Sequence, residues 1–149
     1  MRDGISEFES LVHFFEELIP FNKYLGLKVE RIAVGETRMM IPFASWLIGD
    51  PNRPALHGGV TSALADAAGG LAALTTLEPG TAVSTIDLRM DFLQHGLTDE
   101  ALWCEAEVRR TGARVVVVHM RVLQRGDDRL VAEGRGAYSI NRRLPSTAR

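Results

Sequence analysis

The chain has 149 residues, a length suited to one domain with a real core. Hydrophobic residues make up 46% of it and charged residues 24%, with a formal net charge of −2, ordinary values for a soluble globular protein that leave no concentrated basic face for nucleic acid. Its single cysteine, Cys104, excludes an internal disulfide and any cysteine-based zinc cluster, and fits a reducing, cytoplasmic setting.

The opening MRDGISEFES carries acids where a signal peptide needs an apolar core, so no targeting segment is expected. Ile5, Phe8, Leu11, Val12, Phe15, Leu18 and Ile19 recur at three- and four-residue steps, with Glu7, Glu9, Glu16 and Glu17 mostly on the other side. This spacing predicts an amphipathic helix within residues 1–20, ended by Pro20 and covering an edge or end of a sheet. Its acidic polar face argues against a membrane-surface helix. Residues 27–34 and 36–41 read as two short strands joined around Gly35. The next stretch, PFASWLIGDPNRPA (42–55), reads as a loop without secondary structure of its own. Trp46, Leu47 and Ile48 either line an apolar pocket there or anchor the loop on the core.

The rest of the chain is organised around Leu56–Leu77, LHGGVTSALADAAGGLAALTTL. Its length and Ala/Leu content predict a helix, and the lack of a broad charged face predicts enclosure on most sides. Asp66 at its middle, together with four glycines, argues against a membrane span. Glu78-Pro79-Gly80 then makes a turn. In 83–92, Ile86, Leu88, Met90 and Phe92 alternate with Asp87, Arg89 and Asp91, the clearest period-two signal in the chain. A strand over 102–109 follows, then a turn at Thr111-Gly112. The VVVV core of 114–124 predicts a central strand buried on both faces. After a turn at Gly126-Asp127-Asp128, the strand 130–140 sets Leu130, Ala132, Gly134, Gly136, Tyr138 and Ile140 on one face. Residues 142–149 are expected to form a frayed tail. Runs of antiparallel strands with one embedded helix predict an α+β architecture, a curved sheet wrapped around the central helix in one domain over 1–149.

Two features of the central stretch can carry chemistry. The Gly58-Gly59 pair opens a helix whose first amide N–H groups have no intrahelical partner, and such donors can stabilise a carbonyl oxygen as it becomes an oxyanion. Taken alone, the pair is better explained by close packing of the helix against the sheet. Asp66 is the only ionisable residue between Gly58 and Leu77, and a carboxylate there is costly unless hydrogen-bonded, protonated or exposed at a cleft. It lies eight residues beyond Gly58, roughly 12 Å along a helix, so one substrate carbonyl cannot meet both groups within a subunit. A joint role therefore predicts a homodimer in which two antiparallel central helices build two shared sites. The alternative is a structural aspartate bound to a backbone amide or hydroxyl.

Residues 52–59, NRPALHGG, with Asp66 nine positions after His57, and the later segment STIDLRMDFLQ (84–94) resemble the hotdog-fold acyl-CoA thioesterases of the phenylacetate-degradation type. The resemblance implies a hotdog fold of about six strands around a long central helix, plus the N-terminal helix. It implies hydrolysis of an acyl-CoA thioester to a free acid and CoA, with Gly58 supplying the oxyanion-hole amide and Gly59 beside it. Asp66, reaching in from the partner subunit, would be general base or nucleophile. Asn52 matches an Asn that helps hold substrate or water, although it stands one residue nearer the His than in some relatives. Thr85 falls near the carboxylate and water, with Ser84 the neighbouring alternative, and His57 orients the loop. A dimer of dimers is implied as well.

The nucleotide end of CoA needs cations at the pocket mouth, for which Arg89, Arg109, Arg110 and Arg114 are candidates. No metal site is expected, because His13, His57, His95 and His119 lack ligand spacing. No cofactor is expected beyond the coenzyme A of the substrate, and P-loop and dinucleotide fingerprints are missing. Two other functions stay open at this point: a hotdog-fold enoyl-CoA hydratase or dehydratase, and a protein that binds acyl-CoA without hydrolysing it.

Overall fold

A computed structural model of the chain describes residues 4–126 and 128–142. Among them, six strands form one antiparallel sheet: β1 (Lys28–Ala33), β2 (Glu36–Ile41), β5 (Ala82–Phe92), β6 (Leu102–Thr111), β7 (Val115–Gln124) and β8 (Arg129–Asn141). Their order across the sheet is β1-β2-β6-β7-β8-β5. The long helix α3 (Gly58–Leu74) packs on one face, touching β2, β5, β6, β7 and β8. This is the α+β hotdog arrangement expected from the sequence, with α3 ending at Leu74 rather than Leu77.

Small residues let the helix lie close to the sheet. Leu64, Ala65, Ala68, Leu71 and Ala72 of α3 are fully buried against Met39, Cys104, Val118, Met120 and Ala132. Each large aliphatic side chain buried there contributes about 1.5–3 kcal/mol relative to exposure. The Thr37 hydroxyl donates to the Ala68 carbonyl at 2.9 Å, fixing the helix to β2. α3 keeps one half-exposed strip, Ser62, Ala63, Asp66 and Ala67, and Asp66 therefore meets a cleft rather than the core.

Three expectations need correction. The VVVV strand is not buried on both faces. Val116, Val118, Met120 and Val122 are buried beneath α3, while Val115, Val117 and His119 on the opposite face are only partly covered, because none of the described elements packs over that face. The segment 42–55 does carry secondary structure: a 3₁₀ turn at Ser45–Leu47 and a small hairpin of β3 (Ile48–Asp50) and β4 (Ala55–Leu56). Leu47 is the buried anchor, while Trp46 lies exposed beside Tyr24 with ring centroids 6.0 Å apart.

The N-terminal helix is also not continuous. It consists of α1 (Glu9–His13), a π-helical turn at Phe14–Leu18 and then α2 (Pro20–Leu25). Pro20 ends the first run as predicted, but it also starts the second. Its ring forces Ile19 into extended backbone (φ −85°, ψ 108°) and its missing N–H costs nothing at the first helical position. The predicted frayed tail falls outside the described residues from 143 onward.

Candidate active site

The loop that delivers the central helix is tightly built. His57 donates its main-chain N–H to the Leu47 carbonyl at 2.8 Å, and a Cβ at Gly49 would stand 2.7 Å from the His57 Cα, so only glycine permits this approach. His57 then caps α3: its Nδ1 accepts the Gly59 N–H at 2.8 Å. One of the two glycine amides is thereby occupied. Among the described residues none accepts from the exposed Gly58 amide, which stays available at the positive end of the helix.

Asp66 is held from the sheet. Thr85 Oγ1 donates to its Oδ1 at 2.7 Å. The Tyr138 hydroxyl lies 3.0 Å from the Asp66 main-chain carbonyl and 3.4 Å from Oδ1. Tyr138 is almost wholly buried. Burial first, and the neighbouring Asp66 carboxylate second, push its phenol far above the usual tyrosine range, so it stays a proton donor. Two glycines make room for it: a Cβ at Gly69 would overlap its hydroxyl, and one at Gly136 would stand 2.7 Å from its ring.

Thr85 reaches Asp66 because of a bulge. β5 pairs Thr85 with Tyr138 and Asp87 with Ala137, leaving Ile86 as an extra residue between them. Simple alternation with Leu88 and Met90 would turn Thr85 away from the helix. The bulge resets the phase so that Thr85, Leu88 and Met90 all face α3, and Ile86 is left 58% exposed. The same parity sets Ser84 and Arg89 on the other face. Ser84 accepts there from Asn141 Nδ2 at 2.7 Å, and Arg89 lies 3.5 Å from Asp91. Neither one meets the Asp66 cleft of its own chain, so within a single chain it is Thr85 and not Ser84 that reaches the carboxylate.

The remaining predicted positions lie elsewhere. Asn52 is exposed at the tip of the β3–β4 hairpin, its main-chain N–H donating to Asp50 Oδ1 at 3.0 Å. Arg114 is exposed at the β6–β7 turn, where its carbonyl accepts the Ile140 N–H at 2.8 Å. Arg109 pairs with Glu107 at 3.5 Å. Among the described residues no His, Cys, Asp and Glu side chains converge as metal ligands would.

Asp66 and Thr85 open onto a cavity of about 250 Å³. Its apolar lining includes Phe15, Ile19 and Phe21 from the N-terminal segment, with Ala67, Gly70 and Val83. Sequence reasoning missed this wall and missed Tyr138. The clue to Tyr138 was available: a tyrosine on the inward face of a glycine-rich strand must find a partner for its hydroxyl. A carboxylate with one oxygen fixed by a hydroxyl, facing an apolar cavity, can take a proton from water or attack an electrophilic carbon.

Residues 54–132 match the family model described as the thioesterase superfamily. A Halobacterium salinarum protein provisionally named an esterase is 35% identical over 127 residues, covering 80% of this chain and 83% of that relative. The medium/long-chain acyl-CoA thioesterase YigI of Salmonella typhimurium is 27% identical over 135 residues, covering 82% and 86%. Among solved structures, the Escherichia coli PaaI protein from the phenylacetic acid degradation operon superposes with a TM-score of 0.79 at 22% identity, covering 90% of this chain and 93% of that one.

Proposed function

We propose that this chain, which belongs to the thioesterase superfamily and is a thioester hydrolase, cleaves acyl-CoA thioesters with Asp66 as its reacting carboxylate. The observation that carries the reading is the Asp66–Thr85 hydrogen bond of 2.7 Å at the mouth of an apolar cavity. A thioester carbonyl is already electrophilic, so an oriented carboxylate and an oxyanion donor suffice to hydrolyse it.

In this reading the substrate carbonyl oxygen accepts the Gly58 N–H of one protomer, and the Asp66 of its partner faces the carbonyl carbon. Asp66 takes a proton from water as the water oxygen bonds to that carbon. The tetrahedral oxyanion collapses, the C–S bond breaks, and the proton passes from Asp66 to the departing CoA thiolate. If the carboxylate instead attacks the carbonyl carbon directly, the C–S bond breaks, the CoA thiolate leaves and takes a proton from solvent, and water then opens the anhydride; oxygen-18 from solvent would enter Asp66 only on this second route, when water attacks the Asp66 side.

Two observations support the shared site. Gly58 and Asp66 stand eight residues apart on one helix, roughly 12 Å, too far for one carbonyl. β5 is an edge strand of 11 residues whose outer side has no neighbour among the described strands, with Ile86 and Phe92 both more than half exposed. Such an edge calls for a partner strand, and two β5 edges related by a two-fold axis would bring the two α3 helices antiparallel.

The test is thiol release from short, long and aromatic acyl-CoAs by wild type and Asp66→Asn. Turnover is expected to fall at least ~100-fold in the variant, the scale of a lost catalytic base. Undiminished hydrolysis would refute the role of Asp66.

A further inference from the structure

Gln124 is a polar residue at an apolar position. Along β7, Val116, Val118, Met120 and Val122 are wholly buried at alternate places, and Gln124 continues that spacing, wholly buried as well. A polar side chain there needs partners for its amide. It finds both on one residue of the loop that follows β5. Leu97 donates its N–H to Gln124 Oε1 at 2.8 Å, and Gln124 Nε2 donates to the Leu97 carbonyl at 3.0 Å. Arg129, paired with Gln124 across the β7–β8 hairpin, holds the other end of the same loop. Its guanidinium donates to Gln94 Oε1 and, at 2.8 Å, to the His95 carbonyl. Arg129 gives up hydration in doing so: its Nε is buried with no partner among the described residues, a cost that asks for an explanation.

What this loop meets next is the approach to Gly58. Gly96 offers its carbonyl to the Leu56 N–H at 3.0 Å, and Leu97 bridges Ala55 in antiparallel register. Position 96 must be small for that contact, since a Cβ there would stand 2.9 Å from Leu56 Cδ1 and 3.0 Å from its Cβ. The following peptide, at His57, is fixed separately by the Leu47 carbonyl. Two residues before the free amide, then, the main chain is clamped from the β7–β8 hairpin by way of the loop 94–97. The precision matters because an oxyanion donor has to stand within about 2.7–3.1 Å of the oxygen it holds. A misplacement of about 1 Å can cost roughly 100-fold in rate.

We propose that Gln124 and Arg129 are positioning residues for the Gly58 amide, acting through the loop 94–97 and Leu56. The inference rests on the reading of Gly58 as the oxyanion donor. In this role neither side chain needs to touch the substrate: together they set where one main-chain N–H points.

The experiment follows thiol release by Gln124→Met and Arg129→Met, each alone and each combined with Gly58→Pro. Methionine is unbranched and flexible enough to fill either place without making these hydrogen bonds. Proline at the first helical position removes the N–H without breaking a helical bond. A donor that acts only in the transition state changes kcat and leaves KM alone. Each methionine variant is therefore expected to lose about tenfold or more in kcat, with KM within about twofold of wild type. In the Gly58→Pro background the same substitutions should change kcat by less than about twofold, because their target is already gone. A second readout needs no turnover. The Gly58 amide signal in a nitrogen–proton correlation spectrum should shift in both methionine variants, while that of Gly80, beyond the other end of α3, stays in place. Equal losses with and without Gly58→Pro would overturn the proposal, as would wild-type kcat and an unmoved Gly58 signal in both methionine variants. If Gln124→Met does not fold, Arg129→Met, a change at a partly exposed side chain, decides between these outcomes. Wild-type turnover by Gly58→Pro alone would instead sink the reading of Gly58 on which the proposal rests, a failure that the methionine variants cannot produce.

Discussion

Asp66 lies between two hydroxyls of different character. Thr85 is exposed and bonds the carboxylate at 2.7 Å, whereas Tyr138 is buried and bonds chiefly the main-chain carbonyl at 3.0 Å. The tyrosine therefore fixes the helix, and the threonine fixes the carboxylate. Because folding raises the Tyr138 pKa above its ordinary value of 10.0, the phenol contributes stability that is present below pH 10 and lost as pH climbs toward the folded value. Tyr138→Phe removes the bond, at a cost of about 1 kcal/mol at neutral pH. It should also flatten the alkaline loss of stability, measurable by urea unfolding between neutral pH and pH 11. Cys104, likewise raised by burial, contributes equally to both proteins and drops out of the comparison. Identical pH slopes would contradict this account of Tyr138. At this scale the sequence was partly informative. His57, Gly58 and Asp66 stand out as a spaced motif. The choice of Thr85 over Ser84 depends on a bulge that no alternation of apolar residues announces.

At the scale of elements, the start of α3 is built so that one amide stays free. His57 spends its Nδ1 on Gly59 and leaves Gly58, the first helical residue, as a donor facing out. This permits a substitution aimed at a single main-chain proton. Proline is well tolerated at the first helical position, where its missing N–H breaks no helical bond. His57 already has the extended backbone (φ −61°, ψ 130°) that a following proline demands. The nearest atom to a Cβ at Gly58 is a Phe92 ring carbon at 3.4 Å. Gly58→Pro is expected to keep its melting temperature within a few degrees of wild type and to lose about 100- to 1,000-fold in kcat, the usual cost of one oxyanion-hole donor. Wild-type turnover in that variant would remove Gly58 from the mechanism. Helix and strands were legible because their periodicities are strong. The N-terminal segment was not, since Phe15 and Phe21 read as one face of a helix until Pro20 is seen to start a second one. Their role as a cavity wall depends on contacts with residues some 50 positions away, such as Ala63 and Ala67, and no local pattern carries that.

For the whole molecule, a single chain is unfinished as an enzyme in this reading. It holds an oriented carboxylate in a cavity, an oxyanion donor too far along the same helix to serve it, and a long edge strand with no described neighbour on its outer side. No described helix is long and apolar enough to cross a membrane. The order of the six sheet strands and the central helix could be read from the sequence because periodic runs are set off by turns at Gly35, Glu78-Pro79-Gly80, Thr111-Gly112 and Gly126. The need for a second copy came from a distance rather than a motif. Pairing two chains through β5 supplies the missing donor, and that is the central claim. Its most direct measurement mixes two inactive proteins, Gly58→Pro and Asp66→Asn, unfolds and refolds them together in equal amounts, and follows thiol release. If the donor and the carboxylate of each site come from different protomers, half the dimers are mixed and each has one intact site, which restores about a quarter of wild-type activity. If the mixture stays as inactive as its parents although mixed dimers have formed, the two groups do not meet across an interface and the account is wrong.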